Sequence, residues 1–203
     1  MDFVGFPKIP RLFRDIVITE KIDGTNAQVV IDFVDNPEAW EAENGVPILY
    51  TYCETLAGVG KIAIRAASRT RYITPEKDNQ GFAKWVLANG CELAKLGAGR
   101  HFGEWWGQGI QRNYGLKEKR FSLFNVNTWS DSLARPACCG VVPVLWTGPF
   151  ETNDVRNIMV DLAMNGSAAA PGFMKPEGIV VYHTQGNVLF KSTLENDEKG
   201  KTE

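Results

Sequence analysis

Two alternating apolar runs on either side of Asp23-Gly24 are the feature that most constrains this chain. Residues 16–34 read "IVITEKIDGTNAQVVIDFV", and their β-branched, alternating pattern predicts two strands. Asp-Gly between such runs is a strong hairpin signal, so we expect the two strands to pair around it. Lys21 stands at the end of the first strand. It is either a solvated turn residue or an amine held in place for chemistry, and this segment alone leaves both interpretations open.

The remaining helix and strand signals follow no regular βαβ order. Apolar residues at helical spacing predict a helix over 80–96, and Thr152 as N-cap with a glycine stop predicts a second helix over 152–166. Further strands are predicted at 47–53, 101–106, 120–126 and 141–146, with a hairpin over 178–192. This order differs from that of a Rossmann fold and predicts an α+β fold with antiparallel sheets.

Composition excludes several classes of function. The net charge is −2, so a polyanionic partner must be met by a local basic patch. The four cysteines form no CxxC pair and only two histidines are present, which disfavours a zinc site and favours reduced thiols. No apolar run resembles a signal peptide or is long enough to span a bilayer. We therefore expect a cytoplasmic protein without a membrane partner.

Three further side chains are candidates for chemistry. Lys191 lies in "FKS" on a late strand, and Glu177 in "KPEGIVVY" precedes a run that must be buried. A carboxylate at that position is suited to a divalent cation, because magnesium prefers oxygen ligands. Glu104 in "HFGEWWGQGIQRNYG" is placed to accept hydrogen bonds from sugar hydroxyls. Glu177 and Glu104 also have plain structural interpretations, with Glu177 in a turn and Glu104 solvated beside core tryptophans.

Taken together, these segments resemble the motifs of the covalent nucleotidyltransferases, which include polynucleotide ligases and messenger-RNA capping enzymes. "EKIDGTN" is similar to the family's nucleophile motif, Lys-x-Asp-Gly. Four other segments resemble motifs III, IIIa, IV and V in the family's order, over residues 17–193. They are "FGEWWG", "KRFSLFNV", "PEGIVV" and "VLFKS". Glu20 and the "DGTN" sequence, with Asn26 where DNA ligases generally carry arginine, are similar to RNA ligases of the phage T4 RNA ligase 2 type.

The resemblance implies a nucleotidyltransferase (ATP-grasp-like ligase) fold, with antiparallel sheets flanked by helices. It implies a single adenylyltransferase domain over 1–203, with no appended C-terminal OB or helical domain. The implied activity is an ATP-dependent RNA ligase that joins 3′-hydroxyl and 5′-phosphate RNA ends, in single strands or a nicked duplex. The reaction passes through lysyl-AMP and RNA-adenylate and uses Mg²⁺ or Mn²⁺. A ligase this compact is often viral and acts in RNA repair.

The resemblance also assigns roles to individual residues. Lys21 is the nucleophile, Lys191 binds the α-phosphate and Glu177 holds the metal. Glu104 binds the ribose hydroxyls and Glu20 the adenine edge. The other nucleotide-binding residues of the first motif are Asp23, Gly24 and Asn26.

Two of the implied roles stay open between neighbouring residues. Arg69 is the expected motif Ia arginine, with Arg65 and Arg71 as alternatives in "RAASRTR". Phe121 is expected to stack on adenine with Phe124 in the core, although both phenylalanines could be core residues.

The residues that contact the RNA substrate and the choice among competing functions are also open. Basic runs at 65–71 and 116–120 and the aromatic residues Trp105, Trp106 and Tyr114 are candidates for RNA contacts, although the basic runs suit a solvated face equally well. The alternatives to an RNA ligase are a nick-sealing DNA ligase, a GTP-using capping enzyme and a self-adenylylating protein that binds nucleic-acid ends without sealing them.

Overall fold

The computed structural model describes residues 3–53, 61–195 and 197. These residues form two compact units, a central unit, Asp23–Val141, and a terminal unit, Met1–Ile22 with Val142–Glu203. The strands are β1 (Asp15–Lys21), β2 (Thr25–Val34), β3 (Tyr50–Cys53), β4 (Lys61–Ser68), β5 (Tyr72–Ile73), β6 (Gly99–Gly107), β7 (Lys119–Leu123), β8 (Cys139–Val141), β9 (Val144–Pro149), β10 (Gly178–His183) and β11 (Val188–Thr193). The helices are α1 (Pro37–Asn44), α2 (Phe82–Ala88), α3 (Gly90–Leu93), α4 (Val126–Trp129) and α5 (Thr152–Asn165), with a 3₁₀ turn over Ala94–Leu96.

The terminal unit is built on a four-stranded antiparallel sheet. Its strand order is β11-β10-β1-β9. Alternate residues of β1 and β10 form one buried face that packs with Leu162 of α5, because successive side chains of a strand point to opposite faces. The core residues are Ile16, Ile18, Leu162, Ile179 and Val181. The opposite face of β1 carries Lys21.

The central unit is built on a seven-stranded sheet. Its strand order is β3-β4-β2-β6-β7-β8, with β5 paired to β4, and among the described strands only the β7–β8 pair is parallel. One face of this sheet packs with α2 and α3 around a large aromatic and aliphatic core that includes Phe82, Trp105 and Phe121. The predicted α+β fold with antiparallel sheets flanked by helices is therefore confirmed, with one parallel pair as an exception.

The predicted hairpin at Asp23-Gly24 is wrong. β1 pairs with β9 and β10, whereas β2 pairs with β4 and β6, so the two strands belong to different sheets. The Asp23 and Gly24 N–H groups donate to side chains, the Tyr114 hydroxyl and the Glu104 carboxylate, instead of to a partner strand. The Asp-Gly turn signal is local, and long-range pairing of both strands overrides it.

Other predicted elements differ in their boundaries. The helix predicted over 80–96 divides into α2, α3 and a 3₁₀ turn, since Asn89-Gly90 are poor helix formers. The strand predicted over 141–146 divides into β8 and β9, because Pro143 has no N–H to donate to a sheet. Glu151, and not Thr152, is the N-cap of α5, while Gly166 ends it as predicted.

The structure adds four elements that were not predicted, α1, β4, β5 and α4. The N-cap of α1, Asn36, accepts a hydrogen bond from the Ala39 N–H. Cys91, Cys138 and Cys139 are free thiols. Within the described ranges, no helix is both long and apolar enough to cross a bilayer.

Candidate functional site

Lys21 and Glu177 form an ion pair at one end of the terminal unit's sheet. Lys21 ends β1, and Glu177 comes directly before Gly178, which pairs with Lys21 in the antiparallel register. The Lys21 Nζ lies 2.5 Å from Glu177 Oε1, and the two side chains are 24% and 17% exposed. Lys21 is therefore not a solvated turn residue. Its amine is held at a fixed position by a largely buried carboxylate.

The second oxygen of Glu177 has no hydrogen-bond partner in the described part of the chain. Oε2 is buried and accepts no hydrogen bond from any described residue. Burying a carboxylate oxygen without a hydrogen bond costs its desolvation free energy unless a donor or a cation binds it. Within the described part of the chain, no three His, Cys, Asp or Glu side chains converge on one point. This donor set suits a Mg²⁺-type cation that takes one protein carboxylate and completes its shell with water and phosphate oxygens.

Lys191 lies on the same face of the sheet as Lys21. Thr19 pairs with Val180 and Val180 pairs with Lys191, so these three residues form one cross-strand row. Lys21 lies two residues beyond Thr19, and alternate residues of a strand share a face. Two strand spacings and two residues separate the Cα atoms of the two lysines by about 12 Å. Two extended lysine side chains on one face can approach a single phosphate across that distance.

Glu20 lies on the opposite face from Lys21 and is 1% exposed. Its Oε1 accepts a hydrogen bond from the Ser167 hydroxyl at 2.5 Å, and its Oε2 accepts one from the Ala169 N–H at 2.8 Å. Burial raises the pKa of this carboxyl, and the hydrogen bonds from Ser167 and Ala169 lower it to a smaller extent. Glu20 therefore fixes the loop that follows α5. Its predicted contact with adenine stays a prediction.

In the central unit, hydrogen bonds connect Gly24 to Glu104 and Asp23 to Arg112. The Gly24 N–H donates to Glu104 Oε1 at 3.1 Å, and the Asp23 carboxylate accepts from Arg112 Nε at 3.0 Å. A Cβ on residue 24 would lie 2.5 Å from the Trp105 carbonyl oxygen and 2.7 Å from Trp106 Cβ. Gly24 is therefore required by close approach of the backbone to β6.

Asn26 and Glu104 are directly opposite each other on β2 and β6. Cross-strand partners share a face of the sheet, so the amide and the carboxylate lie side by side. Ser122 of β7 is the partner of Glu104 on its other side. This row brings together two residues predicted to bind the nucleotide, Asn26 and Glu104.

These groups are held in position by four residues for which the sequence indicated no such role. Arg112 and Tyr114 fix Asp23, and Ser167 and Ala169 fix Glu20. Tyr114 lies in a loop in which Gln111, Asn113 and Tyr114 all have positive φ. The glycine and asparagine content of 107–115 signals such a loop, although it does not reveal the long-range contact.

The two phenylalanines of the IIIa-like segment exchange their predicted places. Phe121 is fully buried and packs against Phe82 and Trp85 on the helix-covered face. Phe124 is 39% exposed, and its N–H donates to the Phe102 carbonyl just beyond the end of β7. It lies two residues after Ser122 and hence on the same face as Glu104. The expectation that Phe121 stacks and Phe124 is core is wrong, because strand alternation points Phe121 into the core.

The arginines of the 65–71 segment differ in environment. Arg69 and Arg71 are exposed in the turn after β4, whereas Arg65 is 4% exposed within β4 and pairs with Asp32. Arg69 is therefore available to a nucleotide, and its assignment stays a prediction.

The aromatic candidates for base stacking are not available. Trp105, Trp106 and Tyr114 are at most 3% exposed and fill the interior of the central unit, so the expectation that they stack on bases is wrong. In the 116–120 run, Arg120 pairs with Glu118, and its positive charge is thus locally compensated.

Known structures share this fold. The chain matches Naegleria gruberi RNA ligase in a glutamate-to-alanine variant with ATP and Mn, at 19% identity and a TM-score of 0.56, covering 94% of this chain and 53% of that one. A second glutamate variant, with AMP and Mn, matches at 17% identity and a TM-score of 0.54, over 90% and 50% of the two chains. An apo aspartate variant matches at 18% identity and a TM-score of 0.53, over 90% and 50%. The chain thus spans about half the length of these ligases.

The sequence itself matches a family profile. A comparison with curated protein sequences finds no significant match. The profile of the RNA ligase family matches residues 14–193, which include every residue of both parts of the candidate site. The chain belongs to the RNA ligase family.

Proposed function

We propose that this chain is an ATP-dependent RNA ligase that works through a lysyl-AMP intermediate. The observation that carries the proposal is the Lys21 amine, held 2.5 Å from a carboxylate whose other oxygen has no partner among the described residues. Membership of the RNA ligase family supports it. The Naegleria gruberi ligases that share the fold are described with ATP, AMP and Mn, which supports ATP and a divalent cation as cofactors here.

The proposed first step forms a phosphorus–nitrogen bond. The neutral Lys21 amine attacks the α-phosphorus of ATP, and the bond to pyrophosphate breaks. Only the neutral amine carries the lone pair that attacks phosphorus, so the ammonium must first lose a proton. A divalent cation bound at Glu177 supplies positive charge that disfavours the ammonium form and offsets charge on the phosphoryl group. Lys191, on the face that Lys21 occupies, binds the α-phosphate oxygens.

The two later steps transfer and release AMP. A 5′-phosphate oxygen of RNA attacks the AMP phosphorus, the bond to Lys21 breaks, and RNA-adenylate forms. The 3′-hydroxyl of the other end then attacks the RNA 5′-phosphorus, loses its proton and displaces AMP. The sealed strand carries one new phosphodiester bond.

The remaining site residues orient the nucleotide in this proposal. Glu104 accepts hydrogen bonds from the ribose hydroxyls, and Asn26 lies beside it. Phe124, the exposed member of its pair, replaces Phe121 as the residue that stacks on adenine. The other proposed nucleotide contacts are Glu20, Asp23, Gly24 and Arg69.

The finer assignments rest on the resemblance in the sequence. "EKIDGTN" supports the phage T4 RNA ligase 2 type. A role in RNA repair and a viral source acting in the host cytoplasm are proposed with that type. RNA ends, single or in a nicked duplex, are the proposed partners.

The test is a two-stage labelling experiment with purified protein. α-Labelled ATP or GTP is offered with Mg²⁺ or Mn²⁺, and the protein is resolved on a denaturing gel. We expect label from ATP only, and none in Lys21→Ala. Labelled 5′-phosphate RNA, single or nicked, and the matching DNAs follow. Sealed RNA supports the ligase, sealed DNA alone indicates a DNA ligase, and self-labelling without sealing indicates an end-binding protein. Absence of any self-labelling overturns the proposal.

A further inference from the structure

A cavity of about 630 Å³ lies in the central unit, on the same sheet face as Asn26 and Glu104. Its charged lining residues are Asp32, Arg65 and Arg100, and its aromatic ones are Trp40 and Tyr72. Arg69, the arginine proposed to contact the nucleotide, does not line it. The cavity therefore adds a basic and aromatic surface that the proposed nucleotide contacts leave unused.

Sheet register places the two arginines on either side of one residue. Val30 of β2 pairs with Arg65 of β4 and with Arg100 of β6. Cross-strand partners share a face, so both guanidiniums point to the same side of the sheet. Val30 is four residues from Asn26 along β2, a distance of about 13 Å. The arginine row thus follows the Asn26–Glu104 row along one continuous face.

Arg65 is a pre-organised, incompletely satisfied donor. It is 4% exposed and pairs with Asp32, and its guanidinium carbon lies 4.0 Å from the Trp40 ring centroid and 5.2 Å from that of Tyr72. Its Nε is buried and donates to no described residue. Stacking on aromatic rings fixes the guanidinium plane, so the free donor is presented in a set geometry.

Arg100 adds a second positive charge. Its side chain is exposed, and its guanidinium makes no hydrogen bond or ion pair with any described residue. With Asp32 as the one carboxylate in the lining, the cavity keeps a net positive charge. Arginine forks bind phosphate oxygens through paired, charge-assisted hydrogen bonds.

We infer that this cavity binds a backbone phosphate of the RNA strand, an inference that rests on the proposed function. A chain with net charge −2 needs a local basic site to hold a polyanion. Arginines interleaved with aromatic rings are typical of surfaces that hold single-stranded nucleic acid. Phosphate contacts set the position of the strand and carry no sequence preference.

Three substitutions and one control test the inference. Arg100→Gln removes an exposed charge with little risk to folding. Asp32→Asn removes the carboxylate that competes for Arg65, and Arg65→Met keeps much of the side-chain bulk. Arg156→Gln on α5 is the control, an exposed arginine outside the cavity. Affinity for a fluorescent single-stranded RNA is measured by anisotropy over a salt series, with inorganic phosphate and AMP as competitors. Lysyl-AMP formation is measured in parallel, and circular dichroism checks folding.

The inference predicts a distinct pattern of RNA affinity. Arg100→Gln weakens RNA binding about five- to tenfold and lowers the salt slope by about one. Asp32→Asn tightens binding, Arg65→Met weakens it, and Arg156→Gln leaves it unchanged. Inorganic phosphate and AMP compete only weakly, because each offers one phosphate without the rest of the strand. Lysyl-AMP formation by Arg100→Gln equals that of the wild type.

Other results overturn the inference. Unchanged affinity and salt slope in Arg100→Gln would do so, and so would weaker binding in a folded Asp32→Asn. If inorganic phosphate displaces the fluorescent RNA at concentrations as low as those at which RNA binds, the cavity is a site for a free anion instead. If Arg65→Met does not fold, the other two variants decide. If Arg100→Gln loses RNA affinity but the wild type forms no lysyl-AMP, the proposed function is wrong and the phosphate site stands. If the wild type forms lysyl-AMP but Arg100→Gln binds RNA as tightly as the wild type, the phosphate site is wrong and the proposed function stands.

Discussion

The Lys21 amine and the Glu177 carboxylate meet at adjacent ends of two paired strands, 2.5 Å apart. Lys21 pairs in register with Gly178, and Glu177 is the residue directly before Gly178. The pairing of the two strands therefore positions the Glu177 carboxylate beside the amine. A charged pair of this kind holds the lysine in one orientation. The second oxygen of the same carboxylate has no hydrogen-bond partner among the described residues, and this is the basis for proposing Glu177 as the ligand of a cation beside Lys21.

Glu177→Gln tests that connection. The change preserves size and removes the charge that pairs with Lys21. We expect lysyl-AMP formation to fall about 100-fold or more, a loss typical of removing one electrostatic contact to a reacting phosphoryl group. The measurement is the rate of labelling from α-labelled ATP over a Mg²⁺ titration. Glu76→Gln, at an exposed glutamate after β5, is the control and should label normally. Labelling of Glu177→Gln at the wild-type rate contradicts the assignment.

Gly24→Ala tests the close approach of the first motif to β6. The added methyl would meet the Trp105 carbonyl at 2.5 Å and Trp106 Cβ at 2.7 Å, so the backbone must shift. Overpacking of this type costs about 1–3 kcal/mol. We expect a lower free energy of unfolding in urea, and weaker labelling, since Asp23 and Glu104 move with the backbone. Gly5→Ala, where the nearest atom is an ordinary 3.7 Å away, should change neither. Equal stability of the two variants would contradict the geometry.

Glu20→Gln tests the buried carboxyl on the reverse face of β1. Burial raises the pKa of Glu20 in the folded state, so the folded protein binds a proton more readily than the unfolded chain. This contribution favours folding at low pH and is lost as pH rises from the unfolded value through the folded one. We therefore expect the stability of the wild type relative to Glu20→Gln to fall as pH rises through that window. Urea unfolding of both proteins from pH 4 upward is the measurement, and a flat or rising difference would contradict the assignment.

Alanine substitutions at Phe121 and Phe124 distinguish a residue that packs in the core from one that contacts the nucleotide. Phe121→Ala empties a fully buried core position and should cost about 3–5 kcal/mol of unfolding free energy. Phe124→Ala removes a partly exposed ring and should change stability by about 0.5 kcal/mol or less. Loss of its stacking should raise the KM for ATP in lysyl-AMP formation about tenfold. Urea titrations and labelling kinetics on both variants check this, and an unchanged KM in Phe124→Ala would rule out the stacking role.

The sequence predicts the class of fold and most strands, because alternation and helical spacing are local properties. It misses the separation of β1 and β2 into two sheets, since strand pairing depends on distant residues such as Gly178 and Trp105. The helix at 80–96 is interrupted at Asn89-Gly90 for a similar reason, because tertiary packing selects among local preferences.

The candidate site divides in the same way. Lys21 and Glu177 are found by motif and by the expectation of a carboxylate at a strand mouth, and the structure places them in contact. The roles of Phe121 and Phe124 depend on which side of β7 faces the helices, and the segment itself does not encode that choice. Ser167 lies 147 residues from Glu20 and carries no motif, so only the fold reveals its hydrogen bond.

The most direct test of the central claim is the mass of the protein after incubation with ATP and a divalent cation. Intact-mass measurement followed by peptide mapping locates any added nucleotide. We predict that one AMP is added to the peptide that contains Lys21, that pyrophosphate is released, and that Lys21→Ala gains no mass. An unmodified Lys21 peptide under these conditions, or AMP on a different residue, would contradict the account.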